Sequence, residues 1–575
     1  MTAVCSQAAR AQGISGGDSS APQARAAGAT AQPTDANADA GKDAPSDKRA
    51  GKDKDAKEKV AAAAKKPRFE IDEYRIEGSS KLSQIDVEEA VYPFLGPGRT
   101  EEDVEKARAA LEKLYSSKGY QTVSVSVPQQ EVQGGVVVLK VTEMKVGRLR
   151  VKNSRYFDLD RIKQTAPSVA EGQVPNFNDV TKDIVALNQW PDRKVTPTLR
   201  AGVAPGTVDV DLNVDDTLPL HGSVELNNRQ TPNTTPLRTT ATVHYDNLWQ
   251  RGDSATFSYQ IAPLRESDAQ VFSGSYLART PVDWLNVLVF GFKSDSDVAS
   301  VGGQSVIGPG YSVGSRAVIT LPGRDNFFHS VSVGADWKYF GEILQQNGVT
   351  SFSTPVGYVP AVASYSATWQ RDGSQTQFNG SFNAGLRGIG SDPFAFDEKR
   401  FKATESFFYF RGDVSDTEEF KQLEGAQLFV KAQGQIADQP LVSSEQLALG
   451  GFDTVRGYLE SETLGDTGVA GTFELRGPNL PSWFATVMQN AGQPVKLSQI
   501  NEFRFFAFTD GGVVVTLDPL PGQQPTFYLA SYGVGAKLKM LDHVNGMVAF
   551  AMPVISETYT TANKPRVLFR VSGEF

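Results

Sequence analysis

Apolar and polar positions alternate along this chain in two rhythms, and the rhythm changes once. Up to about Asp216, strand-like and helix-like stretches take turns. Phe69-Glu70-Ile71-Asp72-Glu73-Tyr74-Arg75-Ile76, closed by Gly78, reads as a strand. Ile85, Val87, Ala90, Val91 and Phe94 follow at roughly helical spacing. Thr100-Glu101-Glu102-Asp103 is an N-cap pattern with acids in the first turn. Behind it Val104, Ala107, Leu111, Leu114 and Tyr115 predict a helix that stops at Gly119. Strands are predicted at Thr122–Val127 and Val136–Val141, joined through the hairpin pair Gly134-Gly135, so the order is β-α-α-β-β.

That order then recurs. Val146–Val151 predicts a strand and Leu159–Thr165 a short helix. Phe177, Val180, Ile184 and Leu187 predict a second helix, ended by Pro191. Val195–Leu199 predicts a strand in spite of Pro197, hence one at an edge or bulge. Val208, Val210, Leu212 and Val214 alternate with Asp209, Asp211, Asn213 and Asp215, which predicts a strand with one buried face. A unit of roughly seventy residues used twice is an internal repeat.

After Pro219 helical spacing nearly vanishes. Ala255, Phe257, Tyr259 and Ile261 alternate with Ser254, Thr256, Ser258 and Gln260. Val331, Val333, Ala335, Trp337 and Tyr339 alternate with Ser, Gly, Asp and Lys, and Ala363, Tyr365, Ala367 and Trp369 with Ser, Thr and Gln. Leu428, Val430, Ala432 and Ile436 alternate with Gln and Lys. Such segments are about ten residues long, enough for a tilted strand to cross a bilayer. Their length, and the aromatics near their ends, favour a membrane barrel over a soluble sandwich, in which the apolar face would point inward. Sixteen candidate strands fit between about His221 and Phe575, roughly twenty-two residues per strand and connection. A sheet in lipid has to close, because an open edge leaves backbone groups unpaired.

Composition changes this picture little. The chain has 575 residues and a net charge of −9, which argues against a nucleic-acid partner. Its one cysteine, Cys5, allows no intrachain disulfide and no CxxC site. No run of eighteen apolar residues predicts a transmembrane helix. Residues 12–68, rich in Ala, Lys, Asp and Gly, predict a flexible linker, with Asp53–Lys66 at best a weak helix. Residues 1–11 read either as the remnant of a secretory signal, since Ala9-Arg10-Ala11 before Gln12 resembles a small-residue cleavage site, or as a disordered tail.

Little in the chain points to catalysis. Gly310-Tyr311-Ser312-Val313-Gly314 matches G-x-S-x-G, but the string lies within an alternating strand with no helix behind it. His221, His244, His329 and His543 lack ligand spacing, so neither a metal nor a cofactor is expected.

The most informative stretch is Leu449-Gly450-Gly451-Phe452-Asp453-Thr454-Val455-Arg456-Gly457-Tyr458. It resembles the V-R-G-F/Y loop of the two-partner secretion transporters, and Pro440, Ser443, Ser444, Glu445 and Gln446 upstream fit the same pattern. Phe508-Thr509-Asp510-Gly511-Gly512 is similar to that family's F-x-D-x-G motif. The resemblance covers about Phe69 to Phe575.

The resemblance implies a mainly β fold: a 16-stranded antiparallel transmembrane β-barrel (217–575) after two α+β POTRA domains (69–143 and 144–216). It implies that a loop around 446–468 folds back into the lumen. There Val455, Arg456, Gly457 and Tyr458 form the tip, and Arg456 pairs with Asp510 on a strand that also carries Phe508 and Gly512. An Arg inside a pore needs a carboxylate, and the planar guanidinium suits a bidentate bond. The end of the chain, with Phe569, Val571 and Phe575 on one face, resembles the signal read by the barrel assembly machinery.

The function so implied is non-enzymatic: export of one large, unfolded exoprotein, received by the POTRA domains, through the outer membrane without ATP. The partners implied are that exoprotein, outer-membrane lipid and lipopolysaccharide, and, during biogenesis, the assembly machinery and periplasmic chaperones. A barrel-assembly factor of the same superfamily is the alternative, and a passive porin explains neither the repeats nor the loop.

Overall fold

Gly135 decides how the first repeat begins. Its carbonyl accepts the N–H groups of Asp72 (2.8 Å) and Glu73 (3.2 Å), which breaks the single strand expected from Phe69 to Ile76 into β1 (Phe69–Ile71) and β2 (Glu73–Glu77). The computed structural model describes residues 68–575 apart from 133, 283, 296–297, 302–303, 308, 325, 342, 347–348, 354 and 491–498. The expected signal remnant (1–11), the linker as far as residue 67 and the weak helix at Asp53–Lys66 therefore lie outside the described residues. The described residues form two compact units, 68–217 and 218–575.

In the first repeat, helices α1 (Gln84–Val91) and α2 (Glu101–Ser117) flank β3 (Gly96–Arg99), and β4 (Val123–Ser126) and β5 (Val136–Glu143) follow. β3 pairs with β1 and was not legible in the sequence, because Gly96-Pro97-Gly98-Arg99 has no apolar alternation. The Thr100 N–H donates to the Asp103 carboxylate at 3.1 Å, closing the start of α2. That helix buries Val104, Ala107, Leu111 and Tyr115 against a sheet ordered β2-β5-β4.

At the far end of this core, the Glu143 carboxylate accepts hydrogen bonds from the N–H groups of Ser80 (2.7 Å) and Lys81 (2.9 Å), the Ser80 hydroxyl, and Tyr115 Oη (3.1 Å). Burial raises the Tyr115 phenol to about 12, so it stays a donor at neutral pH. Burial also pushes the Glu143 carboxyl upward, but the Ser80, Lys81 and Tyr115 hydrogen bonds outweigh it and hold the group below its ordinary value. A depressed carboxyl contributes stability that is complete above its unfolded pKa, about 4.3. That stability is lost as pH falls through the lower folded value. We therefore expect cleavage of the full-length protein by an acid-tolerant protease at 79–82 to accelerate below about pH 4. Glu143→Gln should abolish that pH dependence. An unchanged acid profile in the variant would show that Glu143 is not the titrating clasp.

The second repeat comprises β6 (Lys145–Lys152), α3 (Leu159–Gln164), α4 (Phe177–Leu187), β7 (Arg193–Ala201) and β8 (Thr207–Asp216). Its sheet is ordered β6-β8-β7, so β7, with Pro197, is the expected edge strand. Two expectations need correction. Helix α4 stops at Leu187, short of Pro191, because the Asn188 side chain turns to bond the N–H (2.6 Å) and the carbonyl (3.0 Å) of Val195. β8 is buried on both faces from Val208 to Leu212, where Asp209 and Asp211 are as inaccessible as Val208 and Val210, while Asp215 stays exposed. β8 is the central strand, and long cations from both neighbours cover its acidic face. Asp211 meets Arg150 at 2.8 Å, Lys152 at 2.7 Å and Arg200 at 3.2 Å. Strict alternation with Asp looks solvent-facing in sequence, but here it marks charges paired under long side chains.

From Leu220 onward sixteen antiparallel strands close into a barrel, each bonded to its neighbours in sequence, with the last (Arg566–Glu574) returning to the first (Leu220–Asn227). The apolar face points outward. On the strand Phe327–Phe340, Val333, Trp337 and Tyr339 are exposed while Ser332 and Asp336 are buried. The same holds for Phe257, Val430 and Ile436. Outward apolar side chains on a closed cylinder are what a bilayer stabilises and water does not. Ser312 of the G-x-S-x-G string sits inside the strand Gly310–Thr320. At the end where the chain enters, connections such as 372–373 and 541–543 are tight turns, apart from 477–499 with its helix Leu480–Asn490, and the longest connection, 438–466, is at the other end.

Candidate functional site

The long connection 438–466 runs inside the barrel. Leu447–Leu449 and Thr463–Gly465 pair as a short antiparallel ladder, and the residues between them form the tip. Val455 and Tyr458 are buried with Leu447, Leu449, Ala470, Val514 and Leu529, the last three from the barrel strands. Tyr458 Oη lies 2.8 Å from the Ile555 carbonyl and 3.0 Å from that of Ala530.

Arg456 is 5 % exposed and engages two walls. Its Nε and Nη2 donate to the two oxygens of Asp510 at 2.8 and 2.9 Å, and its backbone N–H adds a third bond at 3.0 Å. Its Nη1 donates to Glu474 Oε2 at 2.6 Å. The guanidinium carbon stands 3.5 Å from the centre of the Phe508 ring, a close cation–π contact. The fork thus uses its plane against the aromatic face and its edge against the carboxylates, which a lysine cannot do.

Two glycines are explained by close approach. Gly457 has φ of +99°, and a Cβ there would press on Pro553 and Ala551 of the wall at 3.3–3.4 Å. A Cβ on Gly512 would lie 2.8 Å from a Leu449 methyl, so Gly512 makes room for the loop's own ladder. Phe508, Asp510 and Gly512 therefore present a stacking face, an anion and a groove at successive inward positions of one strand.

Sequence reasoning missed Glu474, Lys537 and Arg476. Glu474 sits on the strand Thr467–Arg476 and takes Arg456, Lys537 (2.6 Å) and Arg476 (2.8 Å) together. In sequence it is one of many polar residues on an inward face, and nothing marked it. The role of Glu445 was also missed, although the residue itself was noted. It is 1 % exposed and receives Lys338 Nζ, Tyr358 Oη and Tyr409 Oη, each at 2.6 Å. Asp466 closes the loop's base by accepting the N–H groups of Leu441 (2.9 Å) and Leu517 (2.7 Å) and the Gln446 amide (2.8 Å).

The residues of the chain terminus are not part of this cluster. Val571 and Phe575 are exposed on the outer face and Phe569 is half-buried. Phe575 exchanges both backbone hydrogen bonds with Gly222 of the first strand, at 2.9 and 3.0 Å.

Comparison with known proteins now decides the family. Residues 206–538 match the haemolysin secretion/activation protein family ShlB/FhaC/HecB, and residues 69–143 match the ShlB-type POTRA domain. The chain belongs to this family. The transporter is 23 % identical over 473 residues to the outer membrane transporter CdiB of Dickeya dadantii (strain 3937), covering 79 % of this chain and 78 % of the relative. It is 22 % identical over 537 residues to CdiB of Escherichia coli, covering 90 % and 84 %. Among solved structures, CdiB from Escherichia coli aligns with a TM-score of 0.55 at 18 % identity, over 90 % of this chain and 92 % of that one. BamA from Haemophilus ducreyi lacking POTRA domains 1–3 aligns at 0.52 and 12 %, over 88 % and 100 %. At such identities these likenesses show the fold alone. The family match favours the secretion transporter over the barrel-assembly factor. The protein is an outer-membrane transporter of the two-partner secretion type, with its POTRA repeats in the periplasm. The entry end of the barrel is accordingly periplasmic, and the connection 438–466 springs from the extracellular end.

Proposed function

We propose that the secreted partner crosses this barrel as an extended chain and that the loop 438–466 is the part that yields to let it pass. The observation that carries this reading is the Arg456 fork in the lumen, bonded to Asp510 and Glu474 on adjacent strands. It holds the loop by a few directed bonds rather than by continuous strand pairing, so the loop can leave without unravelling the wall. In the second repeat the outer edge of β7 is closed at Val195 by the Asn188 side chain and lacks a donor at Pro197, so an extended chain can add as a further strand only along its end beyond Pro197. Without ATP in the periplasm, folding of the partner outside biases its movement outward. We assign Phe569, Val571 and Phe575 as the segment read by the assembly machinery after delivery by periplasmic chaperones. The outward aromatic and apolar residues are the surface that meets lipid and lipopolysaccharide.

A reversible lock tests this. In a Cys5→Ser background, Leu449→Cys with Gly512→Cys places two thiols where the loop ladder touches the wall, the lost Leu methyl making the room. The oxidised protein is expected to retain its place in the membrane and stop exporting the partner, and reduction should restore export. Undiminished export by the oxidised, cross-linked protein would show that the loop stays seated during transport.

A further inference from the structure

The loop tip is held from one more side, by the first connection of the barrel. Arg229 donates Nε to Glu460 at 3.1 Å and Nη2 to Asp453, and its guanidinium stands 5.7 Å from the centre of the Phe452 ring. Phe452, Asp453 and Glu460 all belong to the loop and bracket its tip. Backbone bonds reinforce the contact. The Glu460 N–H donates to the Gln230 carbonyl at 2.9 Å, and the Phe452 N–H to Glu460 Oε1 at 3.0 Å. No sequence signal marked Arg229, which lies more than two hundred residues before its partners.

The residue before it does something different. The ladder between the first and last strands runs from Ser223↔Glu574 to Asn227↔Arg570. Beyond Asn227 the side chain of Asn228 extends it: Oδ1 accepts the Phe569 N–H at 2.8 Å, and Nδ2 donates to the Val567 carbonyl at 2.7 Å. The Asn228 N–H itself donates to the Phe569 carbonyl at 3.3 Å. Asn227 Oδ1 accepts the Arg229 N–H at 3.0 Å, fixing the turn that sends Arg229 inward. One residue thus clasps the closing seam of the barrel, and its neighbour clasps the lumen loop.

We propose that Arg229 is a positioning residue that couples the seating of the lumen loop to the extracellular end of the seam between the first and last strands. Arg229 is only 17 % exposed at its side chain. When the loop leaves, both carboxylates and the Phe452 ring leave with it, and the guanidinium, freed of the contacts that hold it, turns to the water of the lumen. Residues 228–230 then relax as one turn, and Asn228 loses the geometry that extends the seam. Coupling of this kind is reciprocal: loosening the seam also weakens the loop's seat. The inference rests on the reading of the loop as the moving part only for its bearing on export.

Hydrogen exchange on the full-length protein in detergent tests the coupling with no exported partner present, so its failure is distinct from failure of the export reading. Peptides covering 224–230 and 566–571 are expected to exchange about tenfold faster in Arg229→Ala than in the natural protein. Those covering 358–369, on a single strand away from the seam, should be unchanged. Arg456→Ala touches neither seam strand and should speed the same seam peptides. An Asp453→Asn/Glu460→Gln protein removes the ion pairs from the loop side and should do likewise, and it carries the test if Arg229→Ala does not fold. Seam peptides that keep their natural rate in both loop-side proteins, while loop peptides covering 450–462 speed up, would overturn the proposal.

Discussion

Arg456→Ala is expected to leave the barrel assembled in the outer membrane while lowering secretion of the partner by about a hundredfold. The size follows from what remains behind. Asp510 is 3 % exposed, and its three hydrogen bonds in the described structure all come from Arg456. Truncation leaves one of them, from the backbone, and only if the tip keeps its place. Breaking such a shielded pair costs about 3–5 kcal/mol, less where water enters. Even about 3 kcal/mol shifts the ratio of seated to unseated loop about a hundredfold, and in the proposed cycle each export event starts from the seated state before the loop yields, so a loop that no longer returns to its seat lowers export. Glu474 suffers less, because Lys537 and Arg476 remain beside it. Arg456→Lys should recover little, since an ammonium cannot serve Asp510 bidentately, reach Glu474 and stack on Phe508 at once. Adding Asp510→Asn to Arg456→Ala should recover part of the loss by removing the stranded charge. The check is partner released into the medium per barrel present, the barrel being measured by its heat-dependent electrophoretic shift. Natural release from Arg456→Ala at natural barrel levels would remove Arg456 from the mechanism.

Glu445→Ala should act differently, by destabilising the barrel itself. Its carboxylate gathers one ammonium and two phenols from three different strands, each at 2.6 Å. Removal strands the buried Tyr409 hydroxyl, leaves Tyr358 with Ser444 alone, and takes from Lys338 its hydrogen-bonded counterion. The Tyr358 ring is itself packed among Phe396 and Phe407. We expect a loss of about 3–5 kcal/mol, seen as a fall of several degrees in the temperature at which the folded band converts to the unfolded one. Glu445→Gln keeps the shape and one acceptor and should fall between. The contrast with Arg456 is the useful result: one variant lowers export at natural stability, the other lowers stability first. Equal thermal behaviour of Glu445→Ala and the natural protein would show that the base of the loop is not anchored there.

Much of this molecule was legible before any coordinates. Two-residue alternation depends only on which face a side chain takes, so Val331 to Tyr339 declared a half-apolar strand unaided. The helix α2 declared itself through Thr100 and the spacing behind it, because capping and amphipathic periodicity are local. The motif pair around Arg456 and Asp510 could be read because charged residues in a lumen need partners and the two motifs are distinctive.

The remainder depended on contacts between distant parts of the chain. β3 exists because Gly96–Arg99 finds β1 across the repeat, not because of its own residues. Asp211 looked solvent-facing until its strand proved central and three cations covered it. Glu474, Glu445 and Arg229 carried no local mark, since a polar residue on an inward face reads the same whether it lines water or holds a loop. The sequence by itself determined the strands, the order of the repeats and the two motifs, all of which follow from neighbours within a few residues. Only the closed barrel decided which buried charges meet, because closure brings residues hundreds of positions apart within hydrogen-bond reach in a space where an unpaired charge is costly.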